Sequence, residues 1–288
     1  MQRTFQTACY FEIMPVVPHY ACQEPADETV ICRFMDFGKF RDLFASEELY
    51  LRRLDLFKDD DPWEALPSDE YARKVLGLIR FDLDDELKLN DDQAFNRQFS
   101  ENLYLNCWQI FEGETLHMWG RYGKGVVVFS RFDLLKAQLH RQLDDIFLGS
   151  VKYTEVGTTG YNLIQFLFTK RACFEKEKEL RIVLQCLDPL AGMNRHYNLD
   201  NFPGREPLPE NPLHDWVHPF KRRRIDLKTL VTEIRLSPWV TTEEHEEAKL
   251  WVKLKNFTCP VNPSQLTSPF TPSFEELQNP KNARQAQP

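Results

Sequence analysis

No Cys-x-x-Cys pair occurs among the seven cysteines, which stand apart at positions 9, 22, 32, 107, 173, 186 and 259. An odd, scattered set excludes a disulfide framework and reads as free thiols of a reducing compartment. Positive charge is also short, since 36 Lys and Arg face 44 Asp and Glu for a net charge of −8. Such a chain repels a phosphate backbone on average, so nucleic acid is expected only at the local run Lys221-Arg222-Arg223-Arg224. Long apolar runs are missing. Val126 to Phe129 and Leu163 to Phe168 fall far short of the about 20 residues that span a bilayer. Glu12 and Pro15 interrupt the stretch from Ala8 to Val17 and remove the pattern of a secretory signal. No membrane contact and a cytoplasmic address are expected.

Catalytic signatures are scarce too. There is no Gly-x-Ser-x-Gly elbow, no Walker loop and no His-Glu-x-x-His. The glycines of Gly120-x-x-Gly123-x-Gly125 follow a helical pattern and lead into a strand, the reverse of a dinucleotide fingerprint. His214-x-x-x-His218 is the one metal-like histidine spacing, and no cysteine pair accompanies it to complete four ligands, so no metal is expected.

What is present is a chain that is 42% hydrophobic and long enough to bury a core. Val30 to Phe34 reads as a strand, Asp36 to Ser46 as a helix with Phe37, Phe40, Leu43 and Phe44 on one face, and Glu48 to Phe57 as a second strand. Further strands are expected at Leu103 to Gln109, Val126 to Phe129, Val151 to Tyr153, Glu177 to Cys186 and Leu230 to Leu236. Helices are expected at Phe132 to Phe147, Tyr161 to Arg171 and Thr242 to Lys255, the last capped by Thr241 or Thr242. Strands and helices in this order predict an α+β fold with a mixed, mainly antiparallel central sheet flanked by helices. Residues 1–29 read as a leader, 30–265 as a single domain and 266–288 as a disordered tail rich in Pro, Ser, Asn and Gln.

The segment from Glu177 carries the chemistry. On an extended strand Glu177, Glu179 and Arg181 point to one side, while Leu180, Ile182 and Leu184 point to the other. Two close carboxylates beside a guanidinium can hold sugar hydroxyls and set their own pKa values apart. A solvent-facing ladder of Glu and Arg is the alternative reading of the same pattern.

Five segments in fixed order resemble the bacterial domain-of-unknown-function family 2971. They are Ile31-Cys32-Arg33-Phe34, Leu49-Tyr50-Leu51 through Asp61-Pro62-Trp63-Glu64, Met118-Trp119-x-x-Tyr122, Lys170-x-x-x-Phe174-x-x-Glu177-x-Glu179-x-Arg181, and Ile234 to Pro238. The likeness spans about residues 30 to 265. Phe174 replaces the family's tryptophan, and Gln109 in Cys107-Trp108-Gln109 replaces its serine. By analogy the order of elements is similar to that of ADP-ribosyltransferases.

That resemblance implies an NAD-dependent transferase with an unknown acceptor and a setting of toxin or defence. Arg33 would grip a phosphate or ribose of NAD, Trp119 or Tyr122 would wall the nicotinamide pocket, and Asp61, Lys170 and Arg181 would complete the cofactor site. Glu179 or Glu177 would be catalytic, and Glu179→Gln would leave the melting temperature unchanged. Tyr104 would supply the hydroxyl that Gln109 lacks. A non-enzymatic module binding a nucleotide or a protein is the alternative. A nuclease using Asp59, Asp60, Asp61 and Glu64 is the third reading.

Overall fold

Val30–Asp36 forms strand β1, in which seven residues pair with a neighbouring strand and only the two ends are exposed. Asp36 then caps helix α1 (Phe37–Ser46), its carboxylate accepting from the Lys39 N–H at 2.8 Å. Glu47, left-handed at φ 56°, ends that helix and turns the chain into β2 (Glu48–Arg53) and a 3-10 turn (Leu54–Phe57). The computed structural model describes residues 16–57, 100, 102–140, 145–154, 163–185, 218–267, 271 and 273–274.

The chain continues through β3 (Leu103–Ile110), α2 (Leu116–Tyr122), β4 (Gly125–Arg131), α3 (Phe132–Leu139), β5 (Asp145–Ser150) and β6 (Lys152–Thr154). There follow α4 (Leu163–Leu167), β7 (Thr169–Arg171), a second 3-10 turn (Ala172–Glu177) and β8 (Glu179–Gln185). The last elements are β9 (Phe220–Arg224), α5 (Leu227–Leu230), β10 (Glu233–Leu236), α6 (Thr242–Leu254) and β11 (Val261–Pro263). Nine of the described strands form one sheet in the order β11-β10-β4-β1-β3-β2-β9, with β8 pairing β3 and β5 pairing β8. Only β10 and β11 run parallel within it, and β6 and β7 form a separate parallel pair. The fold is thus α+β with a mixed, mainly antiparallel sheet flanked by helices. Among the described residues no helix is long and apolar enough to cross a membrane.

Helices cover both faces. On one, Phe40 and Phe44 of α1, Phe132 and Leu135 of α3 and Val252 of α6 close over Ile31, Val128, Leu180 and Ile182. On the other, Met118 and Trp119 of α2 pack on Cys32, Phe34, Val127 and Phe129. Leu266 packs on that second cluster, and Phe274 meets Trp239 at 5.3 Å. Both belong to the segment 266–288 read from sequence as a tail.

Several boundaries differ from expectation, among them the end of the second strand at Arg53 rather than Phe57. The helix expected at 132–147 ends at Leu139, and Ile146, Phe147 and Leu148 instead join β5, which pairs along six residues of β8. The helix expected at 161–171 stops at Leu167, because Thr169–Arg171 pairs with β6. The strand expected from Leu230 begins at Glu233, after the short α5 capped by Asp226. For the two helices pairing with another strand overrides a local apolar pattern, and in the last case the Asp226 cap holds Leu227–Leu230 in a helical turn.

One feature of the sheet positions the site. A single edge of β3 is shared: β1 takes Gln109 and Ile110, and β2 takes Tyr104 and Leu105. Between these contacts β1 and β2 diverge, and Asn106, Cys107 and Trp108 face the gap. The gap is bridged by the Asn106 amide, which donates to the Tyr50 carbonyl at 2.8 Å.

Candidate functional site

A hollow of about 850 Å³ occupies this split in the sheet. Of the residues named from sequence, it brings together Arg33, Tyr122, Lys170, Glu177, Glu179 and Arg181. Asp61, and with it Asp59, Asp60 and Glu64, lies outside the described residues.

Glu177 is not on the strand with Glu179, as the alternation had implied. It ends the second 3-10 turn, and Lys178, left-handed at φ 43°, separates it from β8. The two glutamates still converge, because Lys170 reaches from β7 to both. Its Nζ donates to Glu177 Oε2 at 2.7 Å and to Glu179 Oε1 at 2.9 Å. Arg181 Nε donates to Glu179 Oε2 at 2.7 Å, and its Nη1 to the Leu167 carbonyl at 2.7 Å. Arg121 from α2 donates to Glu177 Oε1. The Tyr153 hydroxyl, on β6 opposite Lys170, accepts from the Glu179 N–H at 2.8 Å and fixes the start of β8.

The network is closed and buried. Lys170, Glu177 and Arg181 are 8%, 7% and 1% exposed. Burial pushes the Glu177 carboxyl up, and the hydrogen bond with Glu179 adds to that rise against the pull of Lys170. Burial opposes ionisation of Glu179 as well, but there the Arg181 guanidinium, the hydrogen bond from Glu177 and Lys170 win and hold the carboxyl well below the usual range. The pair therefore keeps one permanent anion, Glu179, and one carboxyl that can hold or release a proton, Glu177. The solvated Glu/Arg ladder is excluded by this burial. The expectation that Glu179→Gln leaves the melting temperature nearly unchanged meets a physical argument against it, because Glu179 is the counter-ion of a buried arginine.

Arg33 stands differently. Among the described residues no hydrogen-bond or ion-pair partner meets its guanidinium, which lines the hollow near Tyr122 and Cys107. Burial lowers its pKa, and among the described residues no carboxylate offsets the loss of water. Nearby, the Trp108 Nε1 and Asn106 Oδ1 are buried without a hydrogen-bond partner.

Two expected roles are corrected. Trp119 is fully buried away from the hollow, with its indole N–H donating to Glu114 Oε2 at 3.1 Å and its ring edge-on to Phe34 at 4.8 Å. It cannot stack on a ligand. Tyr104 is fully buried on the opposite pleat of β3 from Gln109, so its hydroxyl does not replace the missing serine. Tyr122 keeps a place in the wall, stacked on Phe34 at 5.7 Å.

The run Lys221 to Arg224 is part of β9, the strand that ends the described sheet order. Arg222 pairs with Asp42 at 3.0 Å, and Lys221 lies over the Tyr104 ring at 5.5 Å. Residues that sequence reasoning missed are Arg121, Tyr153 and Phe174. Phe174, at 4.6 Å under the Lys170 ammonium, was a named motif position, Arg121 fell on an unspecified position of Met118-Trp119-x-x-Tyr122, and Tyr153 lay in no motif.

Comparison with family models, with curated proteins and with solved structures gave no match.

Proposed function

We propose that the hollow binds a nucleotide or a phosphorylated molecule of similar size, with Arg33 holding a phosphate. The observation that carries this reading is a desolvated guanidinium with no partner among the described residues, opening on a large hollow. A buried charge without a partner destabilises a fold, and a phosphate relieves it through two parallel hydrogen bonds to the guanidinium fork. The volume falls within the about 300–1,000 Å³ of small-molecule sites. Among its described lining residues seven side chains are cationic and five acidic, whereas the chain as a whole has 36 against 44. The hollow is thus locally positive in an acidic protein. Aromatic walls at Tyr122, Phe174 and Tyr50 offer faces for a base.

The test is binding of AMP and NAD to the full chain, followed by calorimetry or by the fluorescence of Trp108 in the wall. We expect Arg33→Gln to weaken binding at least tenfold. Absence of binding by any nucleotide tried would sink the reading.

A second reading, ADP-ribosyl transfer from NAD, is favoured by Glu177. Its raised pKa in a hollow suits a general acid–base group. In that reaction the bond from ribose to nicotinamide breaks, an acceptor nucleophile bonds to the ribose carbon, and the acceptor's proton passes to ionised Glu177. Glu179, already neutralised by Lys170 and Arg181, orients rather than reacts. Release of nicotinamide from labelled NAD that Glu177→Gln abolishes would support it.

A further inference from the structure

We infer that the hollow selects ligands of low net charge, a single phosphate or a pyrophosphate diester whose charge a cationic base offsets, and discriminates against nucleoside triphosphates. This rests on the nucleotide reading and specifies its ligand class. The argument is one of committed charge. Lys39 holds Asp36 at 3.1 Å, Arg222 holds Asp42 at 3.0 Å, Lys170 holds both Glu177 and Glu179, Arg181 holds Glu179, and Arg121 holds Glu177. Arg52 lies over the Phe57 ring at 5.0 Å, and the Arg33 guanidinium meets no hydrogen-bond or ion-pair partner among the described residues.

One planar guanidinium presents one fork, which matches one phosphoryl group. Further uncompensated phosphate charge would have to recruit a cation already engaged elsewhere. Drawing Lys170 or Arg181 away strips a counter-ion from Glu179, whose side chain is only 12% exposed. Left unneutralised, further phosphates would instead face the lining carboxylates of Glu48, Asp42 and Glu177. Like charges brought together in an interface are strongly disfavoured, so specificity arises from repulsion as much as from attraction. NAD, whose pyridinium offsets part of its pyrophosphate charge, and AMP both remain compatible. ATP does not.

The experiment is titration of the full-chain protein with AMP, NAD and ATP at one fixed ionic strength, because screening would blunt the comparison. We expect AMP or NAD to bind and ATP to bind at least tenfold more weakly. Arg33→Gln should lose the tight ligand, and Arg33→Lys, which keeps the charge but not the fork, should fall between wild type and Arg33→Gln. Thermal melts of each variant confirm that it is folded. ATP binding as tight as AMP or tighter overturns the inference while leaving the nucleotide reading in place. Binding that persists unchanged in folded Arg33→Gln overturns the assignment of the anchor. Failure of all three nucleotides overturns both.

Discussion

Arg33 and Glu179 belong to opposite faces of the sheet, yet they line one hollow. The register makes the first point. Cys32 pairs with Gln109 and Gln109 with Glu179, so Cys32 shares the face of Glu179, and Arg33, one residue on, shares that of Val128. The split between β1 and β2 along β3 makes the second, because side chains from both faces reach the gap. An intact sheet would have kept the two groups apart. The hollow is therefore a consequence of pairing, with one strand edge divided between two partners.

Arg33 should be a residue that binding needs and folding does not. Replacing a desolvated cation that has no partner among the described residues by an apolar side chain of similar length removes a penalty without removing a described contact. We expect Arg33→Met to raise the unfolding free energy by about 0.5–2 kcal/mol in urea titrations while abolishing nucleotide binding. A structural arginine would give the opposite sign.

The two glutamates should separate cleanly in stability. Glu179→Gln leaves Arg181 buried without its counter-ion, at a cost of about 3–5 kcal/mol. For a chain of this size that lowers the melting temperature by roughly 10 °C. Glu177→Gln leaves Lys170 its bond to Glu179 and leaves Arg121, which is half-exposed, to water. Its cost should stay below about 1 kcal/mol. Differential scanning calorimetry of both variants decides the point, and equal losses would mean that Arg181 does not depend on Glu179 as its counter-ion.

Protonation gives a second signature. The Glu177 pKa is raised in the folded state, so this group binds its proton more tightly folded than unfolded. Its contribution is full below the ordinary carboxylate value of 4.5 and is lost as pH rises through the folded pKa. Glu179 is depressed, so its contribution is full above that value and lost only as pH falls through its low folded pKa. Urea midpoints followed from about pH 8 down to about pH 5 should rise more steeply for wild type than for Glu177→Gln. Parallel curves would remove Glu177 from the acid–base role.

Much of this was legible locally. Asp36 and Thr241 cap helices where the sequence placed their starts, and Thr241 with Glu244 completes a capping box. Glu179 and Arg181 share a side because a strand alternates. Trp119 shows the limit. The family resemblance grouped it with Tyr122 three residues on, but which way the indole turns depends on Glu114 and Phe34, supplied by separate segments. The 3-10 turn that presents Glu177 depends on a left-handed Lys178, which no residue preference announces. The split itself was illegible, since it follows from which strands share the edge of β3.

The glycine cluster offers the last test, because its members should respond oppositely. A Cβ on Gly125 would stand 2.4 Å from the Met35 carbonyl oxygen and 3.2 Å from that of Tyr122, both backbone atoms of elements that wall the hollow. Relief requires β4 to move away from β1, across a pairing that runs along the whole of β1 and includes Arg33 opposite Val128. Gly125→Ala should therefore cost about 1–3 kcal/mol and weaken nucleotide binding as well, by displacing Arg33. Gly120, within α2, has nothing within 4 Å of the added carbon. Gly120→Ala should stabilise the protein by about 0.5–1 kcal/mol through helix propensity and leave binding unchanged. Unfolding curves and nucleotide titrations on both variants check the pair, and an Arg33 site indifferent to Gly125→Ala would mean that β4 does not support it.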